Sequence, residues 1–418
     1  MPDDSPKHGQ REVRALRPGL LEADDHKIRR VVAVVDSATD PAINQALLGS
    51  LRSRLAILKP VRPLRFARLL FLPLDPLTVP ARGWRPGEPT VPRTSLAPVA
   101  KVVRDGLGNL AAAIDEIIAG RKADAIQVIT QAGEILWPRA AEILAAAPVP
   151  DDWAETGLPH AAYKPLALSI AAVFRRAPQL RCLALDEELG ALAPDDAIVS
   201  EILENIANEP ETGCAMITRV ILARSPHAAR LLGRIAGSGR TSDERALLRR
   251  ATDRGMATEL SHMEHDTGFV HEIGHGALAD VGAEVRRVTT LLREIEADTA
   301  FAAHRPRLKA IREKLDDICR TRFARGLNEG LIATLAASGP VTGAAQTDFE
   351  TCARDLRKLE MLARKLGGPA GYDRMLNQAA DAVLRAAALT PMRKYRLIEI
   401  LAGSDAAEVL YNNAHRGA

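Results

Sequence analysis

The sequence predicts an all-α protein, either a multi-helix bundle or an irregular α-solenoid of packed helical hairpins. Three observations predict it. Apolar residues make up an ordinary 47% of the 418 residues, but aromatic residues reach only 3%. Ala and Leu dominate, with Arg, Glu and Lys beside them; these are strong helix formers, and Ala lets helices approach closely. Helix-start and helix-stop signals recur along the chain, and apolar residues return at spacings of three and four.

The elements follow from these signals in order. Residues 1–25 are polar and charged and read as a flexible tail, without the apolar run of a signal peptide. An N-terminal helical unit spans 26–150. Val31 to Val35 is either helix or a short strand, and Asp40-Pro41 opens a helix through about Leu58. Lys59 to Pro98 carries nine prolines at 60, 63, 73, 76, 80, 86, 89, 92 and 98, yet it is rich in Leu and Phe, which predicts a packed segment. Arg62, Arg65 and Arg68 alternate there with apolar residues. They fit either a docking or membrane-surface face or an internal helix whose arginines snorkel or pair with Asp75. Thr94 or Ser95 caps a helix to Gly120, and Ala123 to Ala147 continues helically. Pro148 to His160 reads as a linker.

A central long-helix unit covers 160–338. Cys182 to Leu185 is a second possible short strand, and Pro194-Asp195-Asp196 starts a helix ending near Asn208. Gly237-Ser238-Gly239-Arg240-Thr241 lacks the spacing and lysine of a phosphate loop and reads as a connector. Thr241-Ser242-Asp243-Glu244 is a capping box. A C-terminal helical unit covers 345–418, with a second capping-box signature at Thr347-Asp348-Phe349-Glu350, a stop at Gly367 and Gly368, and a start at Thr390-Pro391.

The net charge of +3 and pI near 8.7 are mildly basic. Arg is spread along every segment rather than clustered with aromatics, so nucleic-acid binding is not indicated. Trp84, Trp137 and Trp153 lie near prolines and read as turn anchors. Cys182, Cys214, Cys319 and Cys352 form no CxxC pair, which fits reduced thiols in the cytoplasm. No apolar run reaches the length of a transmembrane helix.

The motif that carries chemistry is His271-Glu272-Ile273-Gly274-His275. On a helix, HExxH sets two imidazoles one turn apart, with a glutamate beside them to activate metal-bound water. Glu294 and Asp298 follow downstream. Together these residues resemble the gluzincin metalloproteases. The resemblance implies zinc held by His271, His275 and Glu294, Glu272 as general base, and Asp298 orienting a histidine.

A second reading makes His262, His265, His271 and His275 a structural or adventitious zinc site, and a third makes them a polar loop and helix start between two long helices. The spacing favours the last. Val281, Val285, Val288, Leu292 and Ile295 recur at 4-3-4-3 intervals, the stripe of one continuous helix. At 1.5 Å per residue, such a helix running from His275 to Glu294 would separate them by ~28 Å. The sequence therefore leads to a non-catalytic cytoplasmic helical scaffold or regulatory protein that binds a macromolecular partner, a protein foremost, with no cofactor. The alternative is a zinc-dependent metallohydrolase using the 271–275 motif.

Overall fold

Apolar stripes, broken by prolines and glycines, organise the chain into helices joined by tight turns. The computed structural model describes residues 63–82, 84–188, 196–225, 227–265, 278–333, 335, 343–366, 369–405 and 407–409. The architecture is all-α. Among the described residues the only strands are β1 (Thr78–Val79) and β2 (Val91–Pro92), two residues each and parallel. The chain divides into two compact units, Met1–Ser225 with Leu231–Met256, and Pro226–Arg230 with Ala257–Ala418. The expected tail, the Asp40-Pro41 helix start, Val31 to Val35, Arg62 and the Gly367-Gly368 stop lie outside the described residues.

In the first unit, α1 (Phe66–Phe71) leads into a 3-10 turn, Leu72–Leu77. Leu64, Phe66, Leu69, Leu70, Leu74 and Leu77 are buried, so the proline-rich segment is packed as its composition predicts. Prolines supply no N–H, so this stretch cannot build a regular ladder, and its carbonyls need other donors. Side chains provide them. Arg68 Nη1 donates to Pro63 O at 2.6 Å, Arg224 Nη2 to Leu72 O at 2.6 Å, and Arg219 to Pro89 O at 3.1 Å and Pro76 O at 3.3 Å. Arg68 is thus half-buried in α1 and turned back onto the chain before it, while Arg65, in the extended residue ahead of the helix, is exposed.

Helices α2 (Leu96–Leu107), α3 (Asn109–Ile118) and α4 (Ile126–Ala146) follow. The single helix expected from Ser95 to Gly120 is divided, because Gly108 sits at φ 54 and turns the chain there. Ser95 is not a side-chain cap either; its hydroxyl donates to Pro92 O at 2.8 Å. The expected linker from Pro148 to His160 is a packed 3-10 turn (Asp151–Thr156). Trp153 is buried in it and donates to Pro159 O at 3.1 Å. The indole made this short segment worth burying.

Helix α5 (Tyr163–Arg175) is buried on nearly every side and packs against α4 and α8 (Glu211–Arg224). Between them run α6 (Ala177–Glu188), which takes up Cys182 to Leu185 as helix, and α7 (Asp196–Leu203). The helix expected to reach Asn208 stops at Leu203; Asn205 turns the chain at φ 54 into a 3-10 turn, Ile206–Asn208. The connector at 237–241 joins α9 (Ala228–Gly237) to α10 (Ser242–His265).

In the second unit, α11 (Leu278–Ala297) is one continuous helix, with Val281, Val285, Val288, Leu292 and Ile295 all buried. It packs against α13 (Gly343–Ala363), which also meets α12 (Arg305–Arg325) and α15 (Pro391–Ala402), while α14 (Pro369–Arg385) packs on α15. Thr347 does not cap α13. The helix begins at Gly343, and the Thr351 hydroxyl donates back to Thr347 O inside it at 2.9 Å. Thr390 does precede α15, with Pro391 in its first turn.

Candidate functional site

His271, Glu272 and His275, together with Asp266 to Gly268, lie outside the described residues. The residues that sequence reasoning set around them are placed separately. Glu294, on α11, pairs with His227, whose Nδ1 lies 2.8 Å from Glu294 Oε1. Asp298 caps the 3-10 turn Thr299–His304 by accepting from Ala300 N at 2.8 Å. Nothing in the local pattern of Ser225-Pro226-His227 marked His227 as the partner; only tertiary packing brings the two residues together.

His262 and His265 occupy the last turn of α10. His265 is exposed, its Nδ1 3.0 Å from Ser261 O. Beside it, Glu264 is gripped by Arg307, with Nε donating to Oε1 at 3.0 Å and Nη2 to Oε2 at 2.5 Å. That hydrogen bonding holds the Glu264 carboxyl below its ordinary pKa. Lys314 Nζ donates to Met263 O at 3.0 Å and Glu264 O at 2.8 Å, satisfying two end carbonyls of the helix. This helix end is an ion-paired terminus. Among the described residues, no group of three or more His, Cys, Asp or Glu is placed to hold a metal ion.

The first unit carries a different feature, a groove of mixed polar and apolar lining, about 500 Å³ in volume. One wall is the end of α7 and the turn after it; the other is the connector into α10. The left-handed turn at Asn205 projects Glu204 and Asn208 to the surface, and buried Arg176 fixes that turn from below. Its guanidinium donates to Ile202 O and Glu204 O, each at 3.1 Å, and to Glu209 Oε1 at 2.7 Å. Arg175 adds a two-point grip on Glu209, at 2.8 and 2.5 Å. Burial alone would raise the Glu209 pKa, but the two guanidiniums outweigh it and hold the carboxyl below its usual value.

The opposite wall is fixed by the capping box read from sequence. Glu244 accepts from Arg240 N at 2.6 Å and Thr241 N at 3.2 Å, and Thr241 Oγ1 accepts from Glu244 N at 3.1 Å. The groove therefore presents the carboxylates of Glu201, Glu204 and Glu244, the amides of Asn205 and Asn208, and one guanidinium, Arg240. Chemically it offers acceptors to a polar or cationic chain along a rigid rim. Sequence reasoning missed it because its two walls are about forty residues apart and neither carries a motif for binding.

The fold and this rim define an all-α protein of packed helices with a helix-end groove. Compared with protein-family models, curated proteins and solved structures, the chain matches none of them.

Proposed function

We propose that this protein is a non-catalytic helical scaffold or regulatory protein of the cytoplasm that binds a macromolecular partner through the helix-lined groove at Glu201, Glu204 and Asn208. The observation that carries the reading is the groove itself. It is open, and carboxylates and amides on fixed turns line it beside Leu203, Ile206 and Ala207, whereas small-molecule sites are enclosed. Among the described residues no helix is long and apolar enough to cross a membrane. All four cysteines are free, as thiols in a reducing compartment would be, and burial of Cys214 and Cys319 leaves those two unreactive.

The test is photocrosslinking in cells with a reactive residue at Asn205, compared with one at exposed Lys309. The expected result is a discrete protein adduct at Asn205 only, lost when Glu201→Lys and Glu204→Lys are combined. Matching adduct patterns at both positions would remove the reading. Metal analysis decides the alternative: stoichiometric zinc that disappears in a His271→Ala, His275→Ala variant would reassign the chain to the metallohydrolases.

A further inference from the structure

A different part of the first unit is built as if for display. Between β1 and β2 the chain makes a loop, Pro80 to Thr90, whose two legs are tied by the parallel pairing of Thr78 with Val91 and Val79 with Pro92. Buried Arg219 clamps both legs at once, through Pro76 O and Pro89 O. Arg254 and the Thr212 hydroxyl both donate to Gly87 O. Within the loop, Trp84 N donates to Ala81 O and Glu88 N to Arg85 O, each at 3.2 Å, and the Trp84 indole donates to Thr90 O at 3.3 Å. Its described residues, which leave out Gly83, are held at the tip, the waist and the base of the loop.

This fixed loop leaves an unusual set of side chains outside. Trp137 and Trp153 are each 1% exposed, but Trp84 is only half-buried. Arg82 and Arg85 flank it and are exposed. Beside the indole is a small notch of about 20 Å³, apolar along Trp84, Pro165 and Leu166 and polar along Glu88, Ser169 and Thr212. Trp and Arg are the residues most enriched where binding energy concentrates, and a loop already ordered loses little freedom on binding.

We infer that the Pro80–Thr90 loop is a second docking element, taking an acidic peptide segment of a partner protein whose apolar side chain covers the Trp84 notch. The two guanidiniums set the charge of the partner, and the notch sets its apolar contact. Half-buried Glu88, at the other rim of the notch, works against a continuous polyanion such as a nucleic-acid strand, which needs a run of cations along its phosphates. The inference rests on the protein being a binder of macromolecules, but it uses a surface distinct from the groove.

The test selects a random displayed peptide library on the immobilised full chain. The expected result is enrichment of peptides that combine acidic and apolar residues and shield Trp84 from acrylamide quenching, which the buried Trp137 and Trp153 escape. Their affinity should fall at least about tenfold in an Arg82→Glu, Arg85→Glu variant with unchanged helical circular dichroism, and stay the same in the Glu201→Lys, Glu204→Lys groove variant. Lack of enrichment, absence of an acidic bias, or equal binding by the Arg82→Glu, Arg85→Glu variant overturns the inference. So does a single-stranded oligothymidylate that binds this loop more tightly than the peptides. Peptides that depend only on Glu201 and Glu204 overturn the loop while leaving the groove reading intact.

Discussion

Gly133 and Tyr372 show how little of a residue's role its own type reveals. In a helix interior, Ala is favoured over Gly by up to ~1 kcal/mol, so Gly133→Ala in α4 should stabilise on propensity alone. In the fold, a Cβ at Gly133 would lie 2.4 Å from the ring of Trp137, which is buried and donates to Leu69 O. Overpacking should win, with a net loss of about 1–3 kcal/mol in urea unfolding. Tyr372 is wholly buried, and its hydroxyl has no hydrogen-bond partner among the described residues. Its ring meets Phe323 edge-on at 5.5 Å. Tyr372→Phe keeps that ring contact and removes an unsatisfied polar group, so stability should be unchanged or rise by about 1 kcal/mol. A measurable loss of stability would mean that the hydroxyl has a partner, either a bound water or a residue outside the described ones.

The elements were legible in sequence wherever local chemistry decided them. The Thr241–Glu244 capping box forms with both of its reciprocal bonds, and Thr241→Ala should cost about 1 kcal/mol in thermal unfolding. The α11 stripe behaves likewise. Leu292 is wholly buried, and Leu292→Ala should cost about 2–5 kcal/mol through lost transfer energy and the remaining cavity. Exposed Arg286 and Arg293 on the same helix should tolerate alanine within about 0.5 kcal/mol.

Legibility ended where packing overrode a local signal. Thr347 to Glu350 carries the same capping letters as Thr241 to Glu244, yet it lies inside α13 because the helix starts at Gly343. The run from α12 into the segment that follows it is another case. Ile311, Leu315, Cys319, Phe323, Leu327, Leu331 and Leu335 are all buried and fall four residues apart. In an α-helix a strict four-residue spacing drifts around the axis. The π-helical stretch Gly326–Ile332 widens the turn and keeps the stripe on one side. Gly326 and Gly330 let it lie close against Leu356 and Cys352 of α13.

For the whole molecule, the charge pattern predicts a particular acid sensitivity. Glu209 in the first unit and Glu264 in the second both ionise at lower pH in the fold than in the unfolded chain, held by Arg175 and Arg176 and by Arg307. Their contributions are therefore complete above the unfolded carboxylate value of about 4.3 and are lost as pH falls through the depressed folded values. Stability should drop steeply below about pH 4. Glu209→Gln should remove part of that pH dependence while destabilising the protein by about 3–5 kcal/mol near neutrality, since two guanidiniums lose their carboxylate. A pH profile identical to that of the parent would show that the Glu209 network does not stabilise the fold.

The sequence by itself determined the class of fold, the placement of helices such as α4, α10, α11 and α15, and the packed nature of the proline-rich segment. Each of these is set by composition, capping or periodicity within a few turns of chain. Tertiary structure alone decided that Glu294 faces His227, that Arg219 clasps Pro76 and Pro89 from more than a hundred residues away, and that Trp84 stays half-exposed while the other two tryptophans are buried. These contacts join residues far apart in the chain, and no local propensity encodes which distant carbonyl or carboxylate a guanidinium or imidazole will reach.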